Sequence, residues 1–423
     1  MAGPAPDGRH RSPTNLTKLN GPPAMSRSVL VNHFSKKVDQ LAATTNFPKL
    51  QAFAPQNLIP WLGSYLKYAL TPRYNFPDYT GSGKTGLYPL VPRSGGEIRI
   101  SIAGDWATGT EEAERVAAQM QGGDADLTIH LGDVYYVGDE PEIAENCLGK
   151  SNGTYSGVTW PHGANGSFAL NGNHEMYANG KPYFTTFLQS LGMPAGGAGQ
   201  VASFFCLEAD AWRIIAVDTG YNSVGIPILS LIPGINQIPV VGGDCHLEDK
   251  LIAWLRNTVK PRENPKATLL LSHHQYYSAF PDKAYTRAAK QLTEFFGDQE
   301  VLWMWGHEHR LAIYDKFSTA GGITAYGRCV GHSGMPVELG TPDISKKAPP
   351  LQLYDPRTHP LEDGTLVGEN GFVNLTIAGA VLTLDYRDLD GTQVLLESFT
   401  ANGGGGFTRA LLKDPGILKA PGL

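Results

Sequence analysis

The sequence predicts an α/β sandwich built on one or two mixed β-sheets. Three observations point there. Strand-like apolar runs alternate with helical stretches from residue 97 to about residue 305. The remainder of the chain is rich in strands, and strand after strand stops at a small residue followed by Asp, Asn or His.

Taken in order, residues 1–28 are Pro, Gly, Asn and charge without an apolar period, which predicts a disordered tail. Residues 29–95 have patchy helical character, at Val31 to Leu41 and Leu58 to Leu70, broken by prolines and the aromatic loop Tyr74 to Tyr79. They are expected to pack as an extension on a main domain spanning 96–400. That domain opens with the alternating Ile98 to Ala103, which ends in Gly104-Asp105, followed by a helix over Glu111 to Met120. Leu127 to Leu131 is a second strand, ending in Gly132-Asp133. Phe168 to Leu170 is a third, ending in Asn171-Gly172-Asn173-His174-Glu175, and Lys181 to Leu191 is helical.

A hairpin over Ser203 to Leu207 and Trp212 to Val217 comes next, ending at Asp218. Leu247 to Val259 is an amphipathic helix, Ala267 to Leu271 a strand ending in Ser272-His273-His274, and Ala284 to Phe296 a helix. Val301 to Trp305 is bounded by Gly306 and reads as a buried strand that releases His307-Glu308-His309 into a loop. Strands follow at Ile313 to Phe317, Ile323 to Val330, Gly371 to Ile377, Val381 to Tyr386 and Thr392 to Phe399. The Gly-rich stretch 401–423 is expected to be a loose tail. The apolar run Ile226 to Val241 is broken by prolines and glycines; it is a lid, a membrane-touching loop or packing for the extension.

Composition narrows the function. A net charge of −6 argues against a general nucleic-acid binder, whose footprint is a basic face. No segment reaches the ~18 apolar residues needed for a membrane span. The first residues carry no apolar signal core, which predicts a cytoplasmic protein. The four cysteines form no CxxC, so buried thiols are a simpler reading than structural zinc or two disulfides.

Five of the strand ends carry Asp105, Asp133, Asn173-His174, His273 and His307. Carboxylate, amide and imidazole together suit hard or borderline metal ions, not a thiolate site. His307 and His309 stand one residue apart, so in an extended segment both could face one metal cluster. Two ions about 3.5–4 Å apart can clamp a phosphoryl group and generate a hydroxide nucleophile at neutral pH. By strand alternation His273 and His274 point to opposite sides, so only one is expected as a ligand. Glu175 and Glu308 either orient imidazoles or are solvated loop charges. His332 ends another strand and could reach the mouth of the site. His130 lies within a strand and reads as a core histidine, and Tyr135 as packing.

Asp105, Gly132-Asp133-Val134-Tyr135-Tyr136, Gly172-Asn173-His174-Glu175, Leu270-Leu271-Ser272-His273 and Gly306-His307-Glu308-His309 resemble, in order, the motifs of calcineurin-like metallophosphoesterases. The likeness covers residues 97 to about 400. Most branches place a His two residues after the first Asp, where this chain has Ala107. The purple acid phosphatase-like branch instead has a Tyr three residues after the second Asp, here Tyr136. The resemblance implies a four-layer α/β/β/α sandwich of two mixed sheets and two metal ions. Asp105, Tyr136 and His309 would hold one ion, and Asn173, His273 and His307 the other, with Asp133 bridging. The tyrosinate would favour Fe(III), with Fe(II), Zn or Mn at the second position.

It further implies a phosphatase in which a metal-bound hydroxide attacks phosphorus while His174 assists the leaving group. The substrate would be a phosphorylated small molecule or nucleotide-type ester. A phosphodiesterase of the same superfamily and a non-catalytic metal-bound scaffold or sensor stand as alternatives. Oligomeric state is not legible.

Overall fold

Alternation decides which faces of the strands are buried. In Glu97–Ala103, Ile98, Ile100 and Ile102 fall on one side and join an apolar layer, while Glu97 and Arg99 face outward. Strands such as Ala267–Ser272 and Val301–Trp305 are buried on both faces and read as continuous apolar runs, as expected of parallel strands covered from both sides. The computed structural model describes residues 67–68, 71–151, 157–192, 200–224, 243–360 and 366–422. The expectations at residues 1–28, Val31 to Leu41, most of Leu58 to Leu70, and all of 226–241 lie outside them.

Two mixed sheets form. The first has eight strands in the order β1 (Leu87–Pro89), β5 (Phe205–Glu208), β6 (Trp212–Ala216), β7 (Ala267–Ser272), β8 (Val301–Trp305), β10 (Ala325–Val330), β9 (Leu311–Phe317) and β11 (Leu351–Tyr354). The second has seven, β17 (Phe407–Lys413), β16 (Gln393–Ala401), β15 (Val381–Asp388), β14 (Gly371–Ala378), β2 (Glu97–Ala103), β3 (Leu127–His130) and β4 (Ser167–Ala169). A small ribbon pairs β12 (Thr358–Pro360) with β13 (Leu366–Gly368).

The layers follow from where the apolar residues go. Ile100, Ile102, Ile129, Phe168, Leu375 and Leu384 of one sheet meet Ile214, Leu269, Leu271, Leu302 and Met304 of the other in a shared core. Each such side chain contributes roughly 1.5–3 kcal/mol when fully buried, so this layer dominates cohesion. The far face of the eight-stranded sheet carries Leu270, Trp303 and Trp305 against α5 (Asp249–Trp254) and α6 (Thr286–Phe296). The far face of the seven-stranded sheet carries α1 (Glu111–Gly122) and a π-helical turn (Tyr183–Phe187) running into α4 (Leu188–Ser190). The result is the four-layer α/β/β/α order. Thr110 caps α1 by accepting from the Ala113 N–H, and Glu111, Glu112 and Glu114 crowd the positive end of its dipole.

Several details depart from expectation. The stretch 401–423 is not a loose tail. Gly403 and Gly405, at φ 85° and 87°, turn the chain back so that β17 pairs antiparallel with β16. The sheets also begin before residue 96, since β1 pairs in parallel with β5. The aromatic loop ahead of it is clamped, with Phe76 and Tyr79 buried against Phe204 and Tyr79 against Trp254. Strands β11 to β13 and helix α2 (Glu140–Asn146) were not anticipated. All four cysteines are free and buried. Among the described residues no helix is long and apolar enough to cross a membrane.

One polar feature crosses the apolar layer. Arg328 on β10 meets Glu397 on β16 through two hydrogen bonds of 2.6 and 2.9 Å, both side chains fully buried. Arg409 and the Tyr386 hydroxyl, each at 2.7 Å, complete the carboxylate's partners. Removing one member of a buried pair strands the other. Glu397→Leu should therefore lower unfolding free energy by about 3–5 kcal/mol in urea denaturation, with Arg328→Met/Glu397→Leu costing less than Glu397→Leu alone.

Candidate metal centre

The parallel neighbours β2, β3 and β4 and the parallel neighbours β7 and β8 all end toward the same region. Ligands collect at the C-terminal ends of strands in open α/β sheets, and these ends do the same here. The backbone turns sharply on the functional residues themselves. Asp105, Asp133 and His307 have φ of 57°, 73° and 66°, a left-handed conformation that costs a non-glycine residue and persists only where its surroundings impose it.

Asp133 lies at the middle. Its Oδ1 accepts the His174 N–H at 3.0 Å, and its Oδ2 lies 3.2 Å from His273 Nε2. Asp105 accepts the His307 N–H on Oδ2 at 2.8 Å and a tyrosine hydroxyl on Oδ1 at 2.7 Å. That hydroxyl belongs to Tyr135, which in sequence reads as packing. It also sits 3.2 Å from Asp133 Oδ2 and 3.1 Å from His309 Nε2. Tyr136, the residue the motif points to, makes two backbone contacts here. Its carbonyl accepts from His174 Nδ1 at 2.6 Å, and its N–H donates to Glu142 at 2.6 Å.

On the other side, His273 Nδ1 donates to the Leu131 carbonyl at 3.0 Å, which leaves Nε2 facing Asn173 Oδ1 at 3.2 Å. His307 stacks at 5.2 Å from His273 and 4.5 Å from His274. His307 and His309 thus turn to different halves of the cluster. Both His273 and His274 turn inward, against the expectation from alternation, because β7 has already ended and the two residues lie in a bend. Two groups of possible ligand atoms lie within 4.8 Å of one another: His273, His274 and His307, and Asp105, Asp133 and His273.

The remaining candidates divide. Glu175 is fully buried and acts on the backbone. Its Oε2 accepts the N–H groups of Gly172 and Asp133 at 2.9 and 3.2 Å and so ties two of the loops together. Glu308 is buried, not solvated. His332 is buried, and a β-carbon added at Gly371 would lie 2.9 Å from its Nε2. His130 is a core residue ringed by Trp106, Trp160 and Phe187. Sequence reasoning passed over three supports. Glu142 accepts four successive N–H groups after Tyr135, Thr219 holds His274, and Glu338 Oε1 lies 3.5 Å from His309 Nδ1. Only the first had a readable signal, the Asp139-x-x-Glu142 capping box at the start of α2.

The family model described as calcineurin-like phosphoesterase matches residues 98–311 of the 423, the segment that carries every one of these strand ends. The chain belongs to the calcineurin-like phosphoesterases. Among solved structures, a purple acid phosphatase from yellow lupin (Lupinus luteus) seeds aligns over 72% of this phosphoesterase and 53% of its own chain, at 15% identity and a TM-score of 0.45. The alignment thus spans about half the length of the lupin chain. A dimetal phosphatase from Danio rerio aligns over 72% and 99% at 11% identity and a TM-score of 0.41. The Plasmodium inner-membrane-complex anchor GAP50 aligns over 75% and 90% at 12% identity and 0.40. These are likenesses of chain course alone. No curated protein matches in sequence.

Members of this family bind two metal ions, and the residues here fit that use. His273 Nε2 lies 3.2 Å from both Asp133 Oδ2 and Asn173 Oδ1, so either a proton on that nitrogen or a bound cation must sit against the two oxygens. Among the described residues the ion-pair partners of Asp105 and Asp133 are imidazoles alone, although both carboxylates are buried. Burial pushes Asp133 up, but His273 and His174 outweigh it and hold the carboxyl well below its ordinary range. Burial lowers His273, yet Asp133 beside it raises the imidazole to about 9 overall. Burial, then the repulsion of His273, brings His307 down to about 3. Burial and the charges of Asp105 and Asp133 push the Tyr135 phenol well above its usual value. Only a cation of high charge would make it a phenolate.

Gly172 permits this closeness. A β-carbon there would lie 2.0 Å from Asp133 Oδ1. Gly172→Ala should displace that carboxylate and weaken metal binding at least tenfold, as read by equilibrium dialysis with elemental analysis, while far-UV circular dichroism stays unchanged.

Proposed function

We propose that this phosphoesterase is a dinuclear metal-dependent hydrolase of phosphate esters with a phosphatase-like site. The observation that carries the reading is Asp133, whose carboxylate lies between a tyrosine-bearing half and an imidazole-rich half of one cluster. Asp105, His309 and the Tyr135 hydroxyl would hold the first cation, and Asn173, His273 and His307 the second, with Asp133 shared. Tyr135 takes the place first assigned to Tyr136 because its hydroxyl is the one bonded to Asp105. Two cations so placed would supply Lewis acidity toward the phosphoryl oxygens and a water made nucleophilic near neutral pH.

The protein's own groups do the rest. Glu175 and Glu142 fix the loops that carry Asp133 and Tyr135, so the ligands are set before substrate arrives. His174 donates its Nδ1–H to the Tyr136 carbonyl in a hydrogen bond, which fixes the ring and would leave Nε2, 3.8 Å from Asp133 Oδ2, to hold a proton for the departing ester oxygen. No side-chain nucleophile is required. If the first cation is Fe(III), the phenolate gives it a hard anionic partner; Fe(II), Zn or Mn would suit the second position.

The purified chain, loaded with Fe, Zn or Mn, should hydrolyse p-nitrophenyl phosphate and lose turnover on chelation. Comparison with bis-p-nitrophenyl phosphate separates monoesterase from diesterase action. Turnover of neither ester with two ions bound would instead support a non-catalytic metal-bound protein. His174→Ala should lower kcat about 10²–10⁴-fold with metal content unchanged. Loaded with Fe(III), the protein should show a tyrosinate charge-transfer band that Tyr135→Phe abolishes and Tyr136→Phe keeps. The opposite pattern would return the ligand to Tyr136.

A further inference from the structure

We infer that His274 is a ligand of the second cation, so that this position offers three imidazoles rather than two. The inference rests on the dinuclear reading above and adds a residue to it. Candidate ligand atoms of His273, His274 and His307 all lie within 4.8 Å of one another. Zinc–nitrogen bonds of about 2.0–2.1 Å let one ion reach donors separated by up to roughly twice that length, so modest closure brings all three into one coordination sphere. The His274 ring lies 4.5 Å from that of His307 and 4.8 Å from that of His273. It is also buried, with Tyr285 at 4.9 Å on its other side.

His274 is held as a ligand needs to be held. Its Nδ1 is 3.2 Å from Thr219 Oγ1, and the same hydroxyl accepts the His274 N–H at 3.0 Å. One side chain thus fixes both the backbone and the ring, and Nε2 remains for a cation. Thr219 directly follows Asp218, which is buried and receives Ser203 Oγ, Asn171 Nδ2 at 3.2 Å and the Tyr221 N–H at 2.7 Å. The support for His274 is therefore a fixed loop, not a mobile one. The neighbouring oxygens, Asn173 Oδ1 and Asp133 Oδ2, both lie 3.2 Å from His273 Nε2.

His273, His274, His307, Asn173 and Asp133 would together offer this cation three nitrogens and two oxygens. A nitrogen-rich set favours late, borderline ions such as Zn(II), Co(II) or Ni(II) over Mn(II) or Mg(II). The first position, with its two carboxylates, phenol and single imidazole, has the opposite preference. His274 thus separates the two positions chemically and directs different metals to them.

The test uses the full chain stripped of metal and dialysed against Zn(II) or Mn(II), with elemental analysis of the bound ions. Wild type should take two Zn(II) per chain. His274→Phe keeps the ring volume without a donor, and His274→Asn is a smaller second variant; apo-state melting temperature checks that each folds. Both should bind the first Zn(II) as wild type does and the second at least tenfold more weakly, with the Zn-over-Mn preference at that position reduced. Second-site affinity equal to wild type in both variants, with the second ion lost in His273→Ala, would overturn the role of His274 and leave the dinuclear reading standing. Fewer than two ions bound by wild type would overturn that reading, and this inference with it.

Discussion

The Asp133 carboxylate must stand between two sheets, and much of the structure answers to that requirement. It sits at the end of a strand of the seven-stranded sheet yet reaches His273 from the eight-stranded one. Only a thin, dry layer between the sheets lets side chains from both edges meet at hydrogen-bonding distance. The apolar residues of β2, β3, β7 and β8 supply that layer. Gly172 leaves the space, the left-handed turn at Asp133 aims the side chain, and Glu175 holds the Asp133 and Gly172 N–H groups. Neither Gly172 nor Glu175 is a ligand on the proposed reading, and each constrains where the central ligand can be.

Electrostatics explains why such a site needs so rigid a frame. Glu175 is buried close to Asp133, and burial first, then that neighbouring charge, push it up to about 8. Glu308 is raised to about 7 chiefly by burial. Buried carboxylates and imidazoles in one cluster are costly unless each has a partner of suitable sign. Cations that bind the folded chain alone would offset that cost and stabilise the fold by mass action. Cohesion elsewhere is of another kind: a large apolar layer crossed by the fully paired Arg328–Glu397 bridge.

Much of this was legible in the chain because period-two alternation and strand-ending glycines are local signals. They located the strands that carry Asp105, Asp133, Asn173, His273 and His307, and the family's motif order pointed to the four layers. What was not legible depends on backbone geometry just past those strands. That the Tyr135 hydroxyl reaches Asp105 depends on how the chain leaves Asp133 at φ 73°. His273 and His274 were expected on opposite sides because alternation was carried beyond Ser272, where β7 stops. The glycines near residue 403 suggested looseness, but they close a hairpin whose second strand, β17, has little burial contrast to announce it. Glu338 and Thr219 are far in sequence from the histidines they meet, and nothing local marks them.

The central claim is that Asp133 is shared by two cations. Anomalous diffraction from crystals grown with Zn(II) or Mn(II), recorded at the metal edge, tests it most directly. The account predicts two peaks about 3.5–4 Å apart on either side of the Asp133 carboxylate, one beside Tyr135 and His309 and the other beside His273 and His307. A single peak, or two peaks with no Asp133 oxygen between them, would contradict it.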